Sequence, residues 1–181
     1  MTGCRSGENG EVYVYSYGDY YDPEVVADFE ADTGIRVIQD TYDTAEEMYP
    51  IIKNGSANYD VVCTSDYMIS KMKGENLLQK LDKKNIRNIK NLDEDYMRKA
   101  EEYDPGNEYS VPYLVGVSGI LYNKKMVKGK NIDSWNVLWD PDFKNNIVMQ
   151  DSVRDAFAIS LLRLGYSPNT TNRSDEHTSE L

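Results

Sequence analysis

Tyr13-Val14-Tyr15-Ser16-Tyr17-Gly18-Asp19-Tyr20-Tyr21-Asp22-Pro23 places five of the chain's fifteen tyrosines within nine residues, then ends on a turn and a helix-starting pair. Alternation puts Tyr13, Tyr15 and Tyr17 on one side of a strand and Val12, Val14 and Ser16 on the other. Gly18 and Asp19 release the chain, Asp22 is placed to N-cap a helix, and Pro23 fits its first turn. In open α/β sheets the ligand sits at the carboxyl ends of the strands, facing helix N-termini. Tyr17 to Tyr21 therefore form a candidate binding loop. Ring faces attract ammonium groups and carboxylates neutralise them, so aromatic rings beside Asp19 suit an organic cation. Tyrosine also suits half-buried strands, and as composition alone the run reads as a sheet edge with wet hydroxyls.

Working outward, residues 23–33 carry Val25, Val26 and Phe29 at helical spacing and stop before Gly34, a natural C′ residue. Ile35-Arg36-Val37-Ile38 predicts a second strand. Thr44-x-x-Glu47 is a capping-box pattern opening a helix through Met48, Ile51 and Ile52 toward Asn54-Gly55, with a kink at Pro50. Tyr59 to Thr64 is a third, mostly apolar strand of the kind buried on both faces of a parallel sheet. The order βαβαβ with right-handed crossovers predicts an open, doubly wound α/β sheet. Ser65-Asp66-Tyr67 then forms a second loop at the same sheet edge as Tyr17 to Tyr21, where Ser65 or Asp66 is also a helix cap.

Beyond this sheet, lysine-rich residues 81–91 and the helix start at 93–98 read as solvated faces. Residues 109–123 predict two short strands interrupted at Gly116 to Gly119, where the chain crosses into a second lobe. Residues 134–141 predict a short helix with Trp135 and Trp139 on one packing face. Residues 147–150 read as a strand, and Asp151-Ser152-Val153-Arg154-Asp155 begins a helix ending near Gly165-Tyr166.

The 181 residues are 40% hydrophobic, enough for a real core, and 31 acidic against 20 basic residues give a net charge of -11. That balance disfavours nucleic acid or an anionic membrane surface and weakly favours cationic ligands. No run approaches the roughly 18 apolar residues of a membrane span. Met1-Thr2-Gly3-Cys4 resembles the end of a bacterial lipoprotein signal with Cys4 as the lipidated residue, and residues 5–10 read as a flexible tether. Cys63 lies in an apolar run and is expected to be a buried free thiol, without a disulfide. Residues 173–181 read as a non-native tail that contains the single histidine, His177. Without it no Ser-His or Cys-His nucleophile pair can be built, and no histidine zinc site. No cofactor is expected.

Together these pieces resemble the spermidine/putrescine-binding proteins of polyamine ABC transporters, which have the two-lobed type II periplasmic-binding-protein fold. The likeness runs from about Glu11 to Asn172 and rests on Tyr15-Ser16-Tyr17-Gly18-Asp19-Tyr20, Thr33-Gly34-Ile35-Arg36-Val37, Tyr59-Asp60-Val61-Val62 and Ser110-Val111-Pro112-Tyr113. Trp135 to Trp139, Leu164-Gly165-Tyr166 and Asn169-Thr170-Thr171 fall at matching places. The resemblance implies an extracytoplasmic, non-enzymatic, monomeric solute-binding protein, periplasmic or lipid-anchored, that delivers polyamines to an ABC permease. It divides the chain into a tether (1–10), a first lobe (11–116), the start of a second lobe (117–172) and the tail (173–181).

By position, the resemblance makes Tyr17 and Tyr20 stacking walls, with tryptophan common in the family where Tyr17 stands, and Ser65 and Tyr67 hydroxyl contacts beside Asp66. It places Asp155 as a second-lobe carboxylate, with Asp151 or Ser152 at a neighbouring ligand position; Ser152-x-x-Asp155 is equally a capping box. It also implies that the rest of both lobes lies beyond these residues, so the 181-residue piece is expected to be marginal or aggregation-prone. A ferric-ion binder using Tyr20-Tyr21, a sensing module with the same pocket, and a carboxylate-pair enzyme using Asp151 and Asp155 are the competing readings.

Overall fold

The computed structural model describes residues 9–172; Cys4 and the tail from 173 onward, with His177, lie outside the described residues. Contacts divide the chain into two units, one up to Leu114 and one from Val115.

The first unit is built on a three-stranded parallel sheet in the order β2-β1-β3, with β1 at Glu11–Tyr17, β2 at Arg36–Tyr42 and β3 at Val61–Val62. β2 runs four residues past the expected Ile38, because in-register pairing continues to Tyr17 opposite Tyr42. β3 is shorter than expected, yet the Asp60 and Cys63 amides still donate to the Tyr13 and Tyr15 carbonyls, which sets its register. Helix α1 spans Pro23–Thr33, α2 Ala45–Lys53, α3 Asp66–Gly74 and α4 Glu94–Ala100. A 2-1-3 strand order with right-handed crossovers sends α1 and α2 to opposite faces, which is a doubly wound sheet.

Local chemistry explains the helix starts. Asp22 caps α1 by accepting from the Glu24 amide, Pro23 is at its first turn, and Gly34 ends it at φ 69°, a left-handed position that favours glycine. Thr44 and Glu47 close a full capping box on α2, which runs through Pro50 to Lys53. Asp93 caps α4 on the Asp95 and Tyr96 amides.

The core lies on one face of the sheet. Tyr15 and Tyr42, each 5% exposed, pack with Ala45 and Met48 of α2 and Met68 and Met72 of α3. The opposite face buries Val14 and Ser16 of β1. The helical spacing of Val25, Val26 and Phe29 predicts a buried stripe, but no residue of α1 is buried, and Val25 and Phe29 are exposed. Tyr13 is exposed and its hydroxyl donates to Glu11 Oε2 at 3.0 Å, a wet rim position.

Asp104 is fully buried, and no sequence pattern announces it. Its Oδ2 accepts from the Tyr109 amide, the Ser110 amide and the Ser110 hydroxyl, all at 2.9 Å. Its Oδ1 lies 3.7 Å from Lys73 Nζ, which donates to the Tyr103 carbonyl at 2.5 Å. Burial alone would raise the Asp104 pKa; the Tyr109 amide, both Ser110 donors and Lys73 outweigh it and hold the carboxyl below its ordinary value. Asp104 thus ties the segment 103–110 to α3.

In the second unit, α5 spans Val153–Arg163 and a 3₁₀ segment covers Trp135–Trp139. The Arg163 guanidinium lies 4.2 Å from the Trp139 ring centroid and its Nε donates to Asn136 Oδ1 at 3.3 Å, so Trp139 packs against α5. The strands expected at 109–123 and 147–150 do not form. A strand exists only with a hydrogen-bonded neighbour, and the described residues offer these segments none. Val117, Leu121 and Val148 are almost wholly exposed as a result.

Candidate functional site

Reversal of the chain around β1 creates a switch point between the carboxyl ends of β1 and β3, where an open α/β sheet leaves a crevice. Tyr17 closes β1 on one side of it and Ser65 follows β3 on the other. Their hydroxyls meet at 2.8 Å, and either is able to donate. Ser65 occupies the N-cap position of α3, but its side chain makes no capping bond. Its hydroxyl faces Tyr17 across the crevice, so the capping reading of Ser65 is corrected by a contact 48 residues away in sequence.

Aromatic rings extend from this point. Tyr17 lies 5.1 Å from Tyr20 and 4.5 Å from Tyr42 between centroids, at 41° and 54°. Behind them Tyr15 packs edge-on to Tyr42 at 4.9 Å and stacks on Tyr59 at 4.3 Å. Tyr20 is exposed at the front, on a loop whose Asp19 adopts φ 56°. Aspartate tolerates that left-handed position better than most residues, so Asp19 is a turn former. Its carboxylate is exposed and accepts no hydrogen bond among the described residues. Tyr42 escaped sequence reasoning because only the register with β1 brings it under Tyr17; the signal was the extension of β2 to Tyr42.

The remaining first-unit candidates are placed differently. Asp66 Oδ1 accepts from the Tyr67 amide at 2.6 Å, and its side chain is exposed at the start of α3. Tyr67 packs against the same core cluster as Tyr17, while its hydroxyl donates to Glu46 Oε1 at 2.9 Å. Tyr21, half-buried, lies against Tyr113 with ring centroids 5.4 Å apart and the rings tilted by 32°, and the Tyr113 hydroxyl donates to the Tyr20 carbonyl at 2.7 Å. In the second unit Ser152 caps α5 by accepting from the Asp155 amide at 3.3 Å. Asp151 precedes the helix and is exposed; Asp155 is half-buried, and its carboxylate has no hydrogen-bond partner among the described residues.

Burial raises the Tyr21 and Tyr42 phenols well above their ordinary value, and burial followed by the nearby Tyr17 and Cys63 raises Tyr20. Cys63 is a half-buried free thiol, raised by burial and partly offset by the Tyr21 hydroxyl. At neutral pH the loop therefore presents neutral hydroxyls and ring faces, with negative charge left to carboxylates.

A sequence model of the bacterial extracellular solute-binding proteins matches residues 56–178. The spermidine/putrescine-binding periplasmic protein of Salmonella typhimurium is 38% identical over 173 residues, covering 95% of this chain and 49% of the relative. A putative spermidine/putrescine ABC transporter protein of Listeria monocytogenes superimposes with a TM-score of 0.86 at 43% identity, covering 93% of this chain and 52% of that one. The TpPotD lipoprotein of Treponema pallidum gives a TM-score of 0.86 at 31% identity, covering 93% and 52%. The chain spans about half the length of the curated relatives it matches.

Proposed function

The chain belongs to the bacterial extracellular solute-binding protein family, and we propose that it captures a linear polyamine and presents it to an ABC importer. The observation that carries this reading is the Tyr17–Ser65 hydroxyl pair at the switch point, flanked by the tilted rings of Tyr17 and Tyr20. Two hydroxyls sharing one hydrogen bond keep lone pairs that accept from an ammonium N–H. Ring faces alongside attract the same cation and pack against its methylenes. Asp19 supplies charge at the loop, and Asp155 is the second-unit carboxylate whose amide, but not its side chain, is engaged by the Ser152 cap. Ser152 itself acts as a cap, Asp151 and Asp66 contribute field rather than contact, and Tyr67 sets the wall through Glu46.

Binding breaks no bond, so the protein works by affinity and by presenting a loaded form to the permease. Its place is extracytoplasmic, as the names of its periplasmic relatives suggest, with Cys4 as the lipid attachment point. The ferric-ion reading is disfavoured, because the relatives named for their ligand are polyamine-binding proteins. Titration calorimetry of the full-length gene product with putrescine, spermidine and spermine tests the reading against an uncharged diol of matching length. Saturable heat with at least one polyamine and none with the diol supports it; equal responses to both refute it.

A further inference from the structure

Tyr113 stands two residues before the boundary at which the first unit hands the chain to the second, and it reaches back 93 residues to the candidate loop. It is half exposed, at 54%, so burial of its ring does not explain its position. Two contacts do. Its hydroxyl donates to the Tyr20 carbonyl at 2.7 Å, and its ring lies 5.4 Å from that of Tyr21 at 32°. The loop needs such a restraint, because Gly18 and left-handed Asp19 leave the strand and no helix begins until Pro23. Upstream, the segment carrying Tyr113 is itself pinned three residues earlier, where both Ser110 donors and the Tyr109 amide converge on buried Asp104.

We propose that Tyr113 is a positioning residue for the ligand loop: it fixes the Tyr20 carbonyl, and through it the angle at which the Tyr20 ring faces Tyr17. Asp104 acts one step further back by holding the segment that delivers Tyr113. This rests on the polyamine reading for its consequence in binding but not for its geometry. Tyr113→Phe removes the hydroxyl and keeps the ring, so only the hydrogen bond is lost. Loss of one such bond is expected to weaken binding about three- to tenfold.

The test combines calorimetry with spermidine and amide hydrogen exchange on the ligand-free, full-length protein and its Tyr113→Phe variant. The expected result is faster exchange confined to residues 18–22, unchanged exchange in β1 and β2, and spermidine affinity weaker by three- to tenfold. Unchanged exchange at 18–22, an increase spread evenly through the sheet, or affinity within twofold of the parent overturns the proposal. If the parent protein itself binds none of putrescine, spermidine and spermine, the polyamine reading falls, and the exchange pattern alone decides whether Tyr113 holds the loop.

Discussion

Replacing Asp104 should destabilise the protein more than any substitution at the candidate site. Its carboxylate is fully buried, accepts three hydrogen bonds on Oδ2 and faces Lys73 at 3.7 Å. Each hydrogen bond to a charged group contributes about 1.5–3 kcal/mol, but three on one oxygen do not add. Removing one partner of a buried ion pair costs about 3–5 kcal/mol. Lys73 keeps 23% of its side-chain exposure, so water softens the loss on its side. Asp104→Ala should therefore cost about 3–4 kcal/mol, and Asp104→Asn, which keeps an acceptor and loses the charge, about 1–2 kcal/mol. With a urea slope of about 2 kcal/mol per M, the alanine variant's far-ultraviolet dichroism midpoint should fall by about 1.5–2 M. The pH dependence has a fixed sign. A carboxyl held below its ordinary value stabilises above the unfolded value of about 3.9 and loses that contribution as pH falls through the depressed one. The gap between parent and Asp104→Asn should thus be full at pH 7 and narrow below pH 4. An alanine cost under about 1 kcal/mol, or a gap unchanged at pH 3, would refute a charged hub at this position.

Ser65→Ala should lower thermal stability by less than the roughly 1 kcal/mol of a lost helix cap, because Ser65 does not cap α3, while weakening spermidine binding in calorimetry. A cap-sized loss without a binding change would mean that its hydroxyl serves the helix. In a Cys4→Ser background, Cys63 should react with a disulfide reagent at pH 8 more slowly than free cysteine, since burial raises its thiol and depletes thiolate. Reaction at the free-cysteine rate would contradict that burial. Ferric iron should produce no visible phenolate charge-transfer band at neutral pH, as no group of three or more His, Cys, Asp or Glu side chains able to hold a metal ion forms among the described residues; a saturable band would revive the iron reading.

What was legible in the sequence was what is encoded locally. The alternation of β1, the Asp22 and Thr44 caps, and Gly34 each depend on neighbours within a few residues, and each appears where its pattern places it. Ser65 shows the limit of that logic, since its cap signal is genuine but its hydroxyl is drawn to Tyr17 by the meeting of two strands. Tyr42, Tyr113 and Asp104 depend on register or on buried convergence, which no window of sequence displays. The strands expected at 109–123 and 147–150 failed for a related reason: apolar alternation states a preference, and a ladder needs a second backbone. In α1 the stripe of Val25 and Phe29 is apolar but exposed, since burial requires something packed on it.

The proposal that Tyr17 forms part of a polyamine wall, and that Asp155 of the second unit supplies charge to the ligand, is tested most directly by titrating spermidine into the full-length gene product and its Tyr17→Ala and Asp155→Asn variants. Each substitution should cost about 1 kcal/mol or more, a loss of about fivefold or greater, from typical cation–π and charge-assisted contacts. Affinity within twofold of the parent in both variants would contradict the account.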